Sequence, residues 1–140
     1  MPREVFVDTS GFFALLDARD SHHEAAIALQ EKLIGAKRSF ITSDYVIDET
    51  VTILLVRHSL AAASDFLHSI EQTSALRIEW VGQERFRAAT TYFRSHSDKT
   101  WSFTDCVSFT IMRELRVRDA FTSDHHFRQA KFIPLLNVAG

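Results

Sequence analysis

Three short apolar runs in this chain end alike: FVDTS (6–10), FITSD (40–44) and FTSD (121–124) each run out into hydroxyls and an aspartate. Each is followed by a segment with helical spacing. Strands alternating with helices imply a parallel sheet covered on both faces. In such open sheets, sites form beyond the carboxyl ends of the strands, which is where these aspartates fall. The expected fold is therefore α/β, a three-layer α/β/α sandwich around a parallel sheet of four to five strands. Right-handed crossovers are expected.

The remaining pattern fills in this scheme. Strands are predicted at 4–7, 39–42, 76–81 and 119–122, with Leu76, Ile78 and Trp80 sharing one side of the third. A last strand within 132–137 would be broken or edged by Pro134. Residues 10–17 read as a turn or two of helix. Longer helices are predicted at 21–35, 44–58, 60–73, 83–96 and 103–116, and a short one at 125–130. Ser21 is the expected cap of the helix at 21–35, with Ala25, Ala26, Leu29 and Leu33 on its inner face. The helix at 44–58 is apolar nearly all round, so it is expected to be buried. No linker, repeat or low-complexity segment interrupts the chain, so one domain over 1–140 is expected.

Composition narrows the class. Four glycines and two prolines in 140 residues exclude disordered and collagen-like chains. A single cysteine, Cys106, cannot form an internal disulfide and fits a reducing compartment. Arg3 and Glu4 precede a very short apolar run, unlike a secretory leader, and no apolar stretch is long enough for a membrane span. A cytoplasmic protein without membrane contact is expected. The net charge of −2 argues against a general nucleic-acid coat. Residues 1–70 hold 6 Lys and Arg against 10 Asp and Glu, while residues 71–140 hold 10 against 8. That asymmetry permits an acidic site beside a mildly basic surface.

The candidate chemistry lies in the carboxylates Asp8, Asp44, Asp105 and Asp124 and in the pair Asp48/Glu49. Asp44 directly precedes a helix, where an N-cap is the expected role. Ser102 to Asp105 has capping-box spacing, and Asp8-Thr9-Ser10-Gly11 is compatible with a turn. Asp17 and Asp20 read as exposed, polar surface. The helical wheel does not separate Asp48 from Glu49, but a buried helix makes either acid costly without a partner. Several acids at one sheet edge would raise one another's pKa values, which a divalent cation relieves. Carboxylates with retained water suit Mg²⁺ or Mn²⁺. Zinc is disfavoured by one cysteine and by the adjacent pairs His22-His23 and His125-His126, which read as surface histidines. No G-x-S-x-G, Walker or G-x-G-x-x-G motif is present.

Four segments in order, VFVDTSGFFALLDARDSHHEAA, TSDYVIDETVTIL, SFTDCVSFTIMRE and AFTSDHHF, resemble the PIN-domain nucleases, in particular VapC-like toxins of type II toxin–antitoxin pairs. The likeness spans nearly the whole chain. It implies that Asp8, Glu49, Asp105 and Asp124 are the catalytic, metal-holding acids, selecting Glu49 over Asp48. It implies that Thr9, Ser10 and Thr104 support them, and it gives His126 no chemistry, with Phe127 in the core. The implied activity is metal-dependent endoribonuclease cleavage with Mg²⁺ or Mn²⁺. The implied partners are RNA, a cognate antitoxin and a second copy of the chain in a homodimer. A free-standing PIN ribonuclease without an antitoxin is the alternative. Arg85, Arg87, Arg94, Lys99, Arg113, Arg116 and Arg128 are candidate phosphate contacts, and Trp101 is expected in the core rather than stacking a base. A haloacid-dehalogenase-type phosphatase would need an acid where Ser10 stands, and a non-catalytic binding module would not need the full acid set.

Overall fold

The computed structural model describes residues 3–137. Five strands, β1 (Glu4–Val7), β2 (Ser39–Ser43), β3 (Leu76–Glu79), β4 (Asp119–Phe121) and β5 (Ile133–Pro134), form one sheet in the order β3-β2-β1-β4-β5. Every neighbouring pair is parallel. Seven helices connect and flank them: α1 (Thr9–Leu16), α2 (His23–Gly35), α3 (Asp44–Arg57), α4 (Leu60–Gln72), α5 (Gly82–Ser95), α6 (Phe103–Leu115) and α7 (His125–Gln129). The architecture is the expected α/β/α sandwich. Among the described residues, no helix is long and apolar enough to cross a membrane.

β1 is central, and Val5, Phe6 and Val7 are all buried, as a strand covered on both faces requires. From β1 the chain builds outward through β2 and β3, then returns to place β4 on the other side of β1. The order therefore reverses between β1 and β4, which opens a crevice at their carboxyl ends. Pro134 lies on the edge strand β5, where its missing N–H costs no ladder bond.

Several local expectations are corrected. His22, not Ser21, occupies the cap position of α2, because Asp20 Oδ1 accepts the His22 N–H at 2.8 Å and shapes the entry. Ala25 is exposed, and the inner face of α2 is carried by Ala26, Leu29 and Leu33. Ser43 caps α3 through the Val46 N–H, while Asp44 Oδ1 accepts the Val81 N–H at 2.9 Å. Asp44 thus ties the start of α3 to the chain leaving β3. α3 is not buried all round: Val46, Thr50 and Leu54 form its covered stripe, while Val56 is 77% exposed. β3 stops at Glu79, leaving Trp80 66% exposed. Trp101 packs in the core, stacked on Tyr92 at 5.8 Å and donating from Nε1 to Gln129 Oε1.

Gly11 sits where α1 crosses the end of β4. A Cβ there would lie 2.1 Å from the Phe121 carbonyl oxygen and 2.7 Å from its ring. Backbone cannot yield as a flexible side chain could. Gly11→Ala is expected to lower stability by about 1–3 kcal/mol despite alanine's better helix propensity. Denaturant unfolding measures this, and an unchanged midpoint would contradict it.

Candidate active site

Asp8 follows β1 and stands at the head of α1. Its backbone carbonyl accepts the Gly11 and Phe12 N–H groups, while its side chain makes no capping bond. The carboxylate instead meets the end of β4, where Oδ2 accepts the Thr122 hydroxyl at 2.9 Å, with Ser10 Oγ at 3.4 Å. With Thr122 donating to Asp8, the Ser10 hydroxyl is free to donate to Thr122 across 2.8 Å. The Ser123 N–H donates to Ser10 Oγ and the Asp124 N–H to Thr122 Oγ1, both at 3.1 Å. This relay joins the two strand ends and leaves Asp8 Oδ1 uncommitted.

Asp105 serves both roles that its spacing allowed. It forms the capping box of α6: Ser102 Oγ accepts its N–H at 3.0 Å, and its Oδ2 accepts the Ser102 N–H at 3.1 Å. The same Oδ2 accepts from His126 Nδ1 at 3.0 Å, which requires the Nδ1–H tautomer or the imidazolium. Asp124 caps α7, with Oδ1 accepting the His126 N–H at 2.9 Å. Each of the three aspartates therefore commits one carboxylate oxygen to the scaffold, and its other oxygen has no side-chain partner among the described residues.

Asp8, Asp105, Asp124 and Glu49 all line one cavity of 270 Å³, with Thr9, Ser10, Phe13, Asp20, Ile53 and Arg57 completing the wall. Glu49 enters from α3, while Asp48 is exposed outside it. A larger recess of 430 Å³ lies against α1, α2 and α4 but has no ionisable lining residue.

Burial and mutual repulsion govern the electrostatics of the acids in this cavity. Asp8 is 5% exposed and Asp105 8%. Burial, reinforced by the charges of Asp105 and Asp124, pushes Asp8 from 3.8 up to about 7 against the opposing hydrogen bond from Thr122. Burial and the charge of Asp124 also raise Asp105, opposed by His126 and Ser102. The Thr9 hydroxyl, on the same wall, is buried with no partner among the described residues. Three free carboxylate oxygens, a nearby glutamate and an unpartnered hydroxyl are an oxygen donor set that fits a hard divalent cation.

Sequence reasoning missed several residues. His126 is half-buried and holds Asp105, so it is no surface histidine. His125, His126 and Asp124 also bring ligand atoms within 4.8 Å of one another, although His125 is exposed. Thr122 takes the hydroxyl contact to Asp8, whereas the expected Thr104 is half-buried and does not line the cavity. Asp20 lines the cavity, and Asp17 faces His58 Nε2 at 3.6 Å, so neither is plain surface. Of the nominated cations, none lines it: Arg85 pairs with Glu79 and Glu114, Arg113 lies over Tyr92, and Arg128 donates to the Asn137 carbonyl. Arg57 does, and its signal was the helical i, i+4, i+8 series Glu49, Ile53, Arg57.

The sequence model of the PIN domain matches residues 5–133. The chain belongs to the PIN domain family. Within it, the chain is 32% identical over 132 residues to the 23S rRNA-specific endonuclease VapC20 of Mycobacterium tuberculosis, covering 92% of this chain and 95% of that one. The crystal structure of VapC20, described as a sarcin-ricin loop cleaving toxin, superposes with a TM-score of 0.82 over 92% of this chain and 96% of that chain. FitAcB from Neisseria gonorrhoeae shares the fold, with a TM-score of 0.66 at 15% identity over 93% and 94% of the two chains. The PIN fold accounts for the meeting of β1, β4, α3 and α6 at one crevice.

Proposed function

We propose that this PIN protein is a metal-dependent endoribonuclease, the toxin of a toxin–antitoxin pair, with ribosomal RNA as its substrate. The observation that carries this reading is the convergence of four acids on one cavity, three of them aspartates each with a free oxygen. Full-length similarity to VapC20, whose name specifies 23S rRNA, supports the substrate class.

In this reading Asp8, Asp105, Asp124 and Glu49 hold Mg²⁺ or Mn²⁺. A cation bound there acidifies a water and offsets charge on the phosphate under attack. Thr122 and Ser10 hold Asp8 in place, and His126 and Ser102 hold Asp105. Such outer contacts orient the atoms that meet a metal. Thr9, whose buried hydroxyl has no partner among the described residues, is a further oxygen donor on that wall. Whichever of Glu49 and Asp124 stays off the metal would accept the proton of the attacking water. The whole chain, 1–140, acts as one domain in the cytoplasm, pairs with an antitoxin and assembles as a homodimer.

Purified protein is expected to cleave 23S rRNA with Mn²⁺ or Mg²⁺ present and to lose that activity in EDTA, with recovery on re-addition. Fragments resolved on a denaturing gel check this. Undiminished cleavage in EDTA would overturn the metal reading, and intact rRNA under all conditions would overturn the substrate.

A further inference from the structure

We infer that Arg57 is the phosphate-holding residue of this site, gripping the RNA backbone beside the bond that is cut. The inference rests on the endoribonuclease reading and adds a residue that reading does not use. Among the described residues, Arg57 is the one cation lining the acidic cavity. It shares that wall with Glu49 and Asp20, yet it forms no ion pair within 4.0 Å and no side-chain hydrogen bond among the described residues. Its guanidinium lies over the Phe13 ring at 5.3 Å, and Phe13 lines the same cavity. A planar cation parked on an aromatic face keeps its forked donors free, which suits two phosphate oxygens.

Position along α3 says which phosphate. Glu49, Ile53 and Arg57 follow one another on one face of the helix. Eight residues put the Arg57 backbone about 12 Å from that of Glu49 along the axis. Helical side chains lean toward the N-terminus, so the Arg57 head leans back over Ile53 toward the acids. Arg57 therefore stands up the groove from the acids, beside a phosphate neighbouring the cleaved one. It supplies binding rather than chemistry.

The test is steady-state cleavage of 23S rRNA in Mn²⁺ across a potassium chloride series. Arg57→Ala should raise KM roughly tenfold at low salt while kcat holds. It should also reduce the salt slope of log kcat/KM by about one. Arg57→Lys should restore most of the slope and only part of the affinity, because it keeps the charge without the fork. Lys37→Gln, which removes a charge at the opposite end of the sheet, should change neither. The thermal midpoint and Mn²⁺ binding of Arg57→Ala should match the parent protein. Unchanged KM and slope would overturn the inference while leaving the endoribonuclease reading intact. So would a fall in kcat alone, or an equal effect of Lys37→Gln. A parent protein that cleaves no RNA would overturn both.

Discussion

Asp8→Asn is expected to reduce RNA cleavage by roughly a hundred- to a thousandfold or more, the scale of removing one electrostatic element from a preorganised site. The same substitution is expected to raise the stability of the metal-free protein. Both follow from one arrangement. Asp8 is 5% exposed, and burial together with Asp105 and Asp124 pushes it up to about 7. Asparagine has nearly the same shape and keeps an oxygen to accept the Thr122 hydroxyl, so the relay from β1 to β4 survives. What disappears is a buried negative charge that must otherwise be compensated by a proton or a bound cation. Cleavage assays and thermal melts on one preparation test the two together. A variant that loses activity by unfolding, or one that retains full activity, would refute the central role of Asp8.

Removing the metal should make stability depend on pH in an unusual direction. An Asp8 that titrates near 7 when folded and near 3.8 when unfolded binds its proton more tightly in the folded state. Its contribution is fully present below about pH 4 and is lost as pH rises through about 7. The full span corresponds to about 4 kcal/mol as an upper figure. Asp105, raised for the same reasons, acts in the same sense. EDTA-treated protein should therefore melt at a lower temperature at pH 8 than at pH 5, and the difference should shrink in Asp8→Asn. Mn²⁺ should reverse the trend, because it binds the charged form and stabilises the fold by mass action. A flat profile without metal, or no Mn²⁺ response at pH 8, would contradict the assignment.

Loss of function and gain of metal-free stability in one substitution would mark Asp8 as a residue kept for chemistry. The same opposition explains why Thr122, Ser10, Ser102 and His126 crowd the acids. Each hydrogen bond lowers the cost of holding a carboxylate out of water without using its second oxygen.

Much of this was legible along the chain. The short apolar runs ending at Asp8, Ser43 and Phe121 identified the strands, since a strand buried on both faces leaves little room for polar residues until it emerges. The order of four acid-bearing segments pointed to the PIN family, which the match over residues 5–133 establishes. Helix ends were less legible. Ser21 and Asp44 are good caps by type, yet neighbouring groups took their places because Asp20 reached the His22 N–H and Asp44 reached across to Val81. α3 is exposed on one side despite its apolar sequence, because apolar content along a helix does not say which side meets the core.

The fold class could be read from the sequence, because strand and helix periods and local hydroxyl–aspartate motifs are properties of neighbours, whereas the choice of Glu49 over Asp48 came from the likeness to the PIN family. Only the tertiary structure decided what those acids touch. Thr122 lies 114 residues from Asp8, and His126 lies 21 from Asp105, yet each donates a hydrogen bond to that acid. Arg57 joins the cavity because α3 packs beside α1, and the seven nominated cations do not, since they sit on α5, in the loop after it, or farther along the chain at α6 and α7 than Asp105 and Asp124. Those pairings are set by the reversal of strand order between β1 and β4, a property of how the whole sheet is assembled rather than of any segment within it.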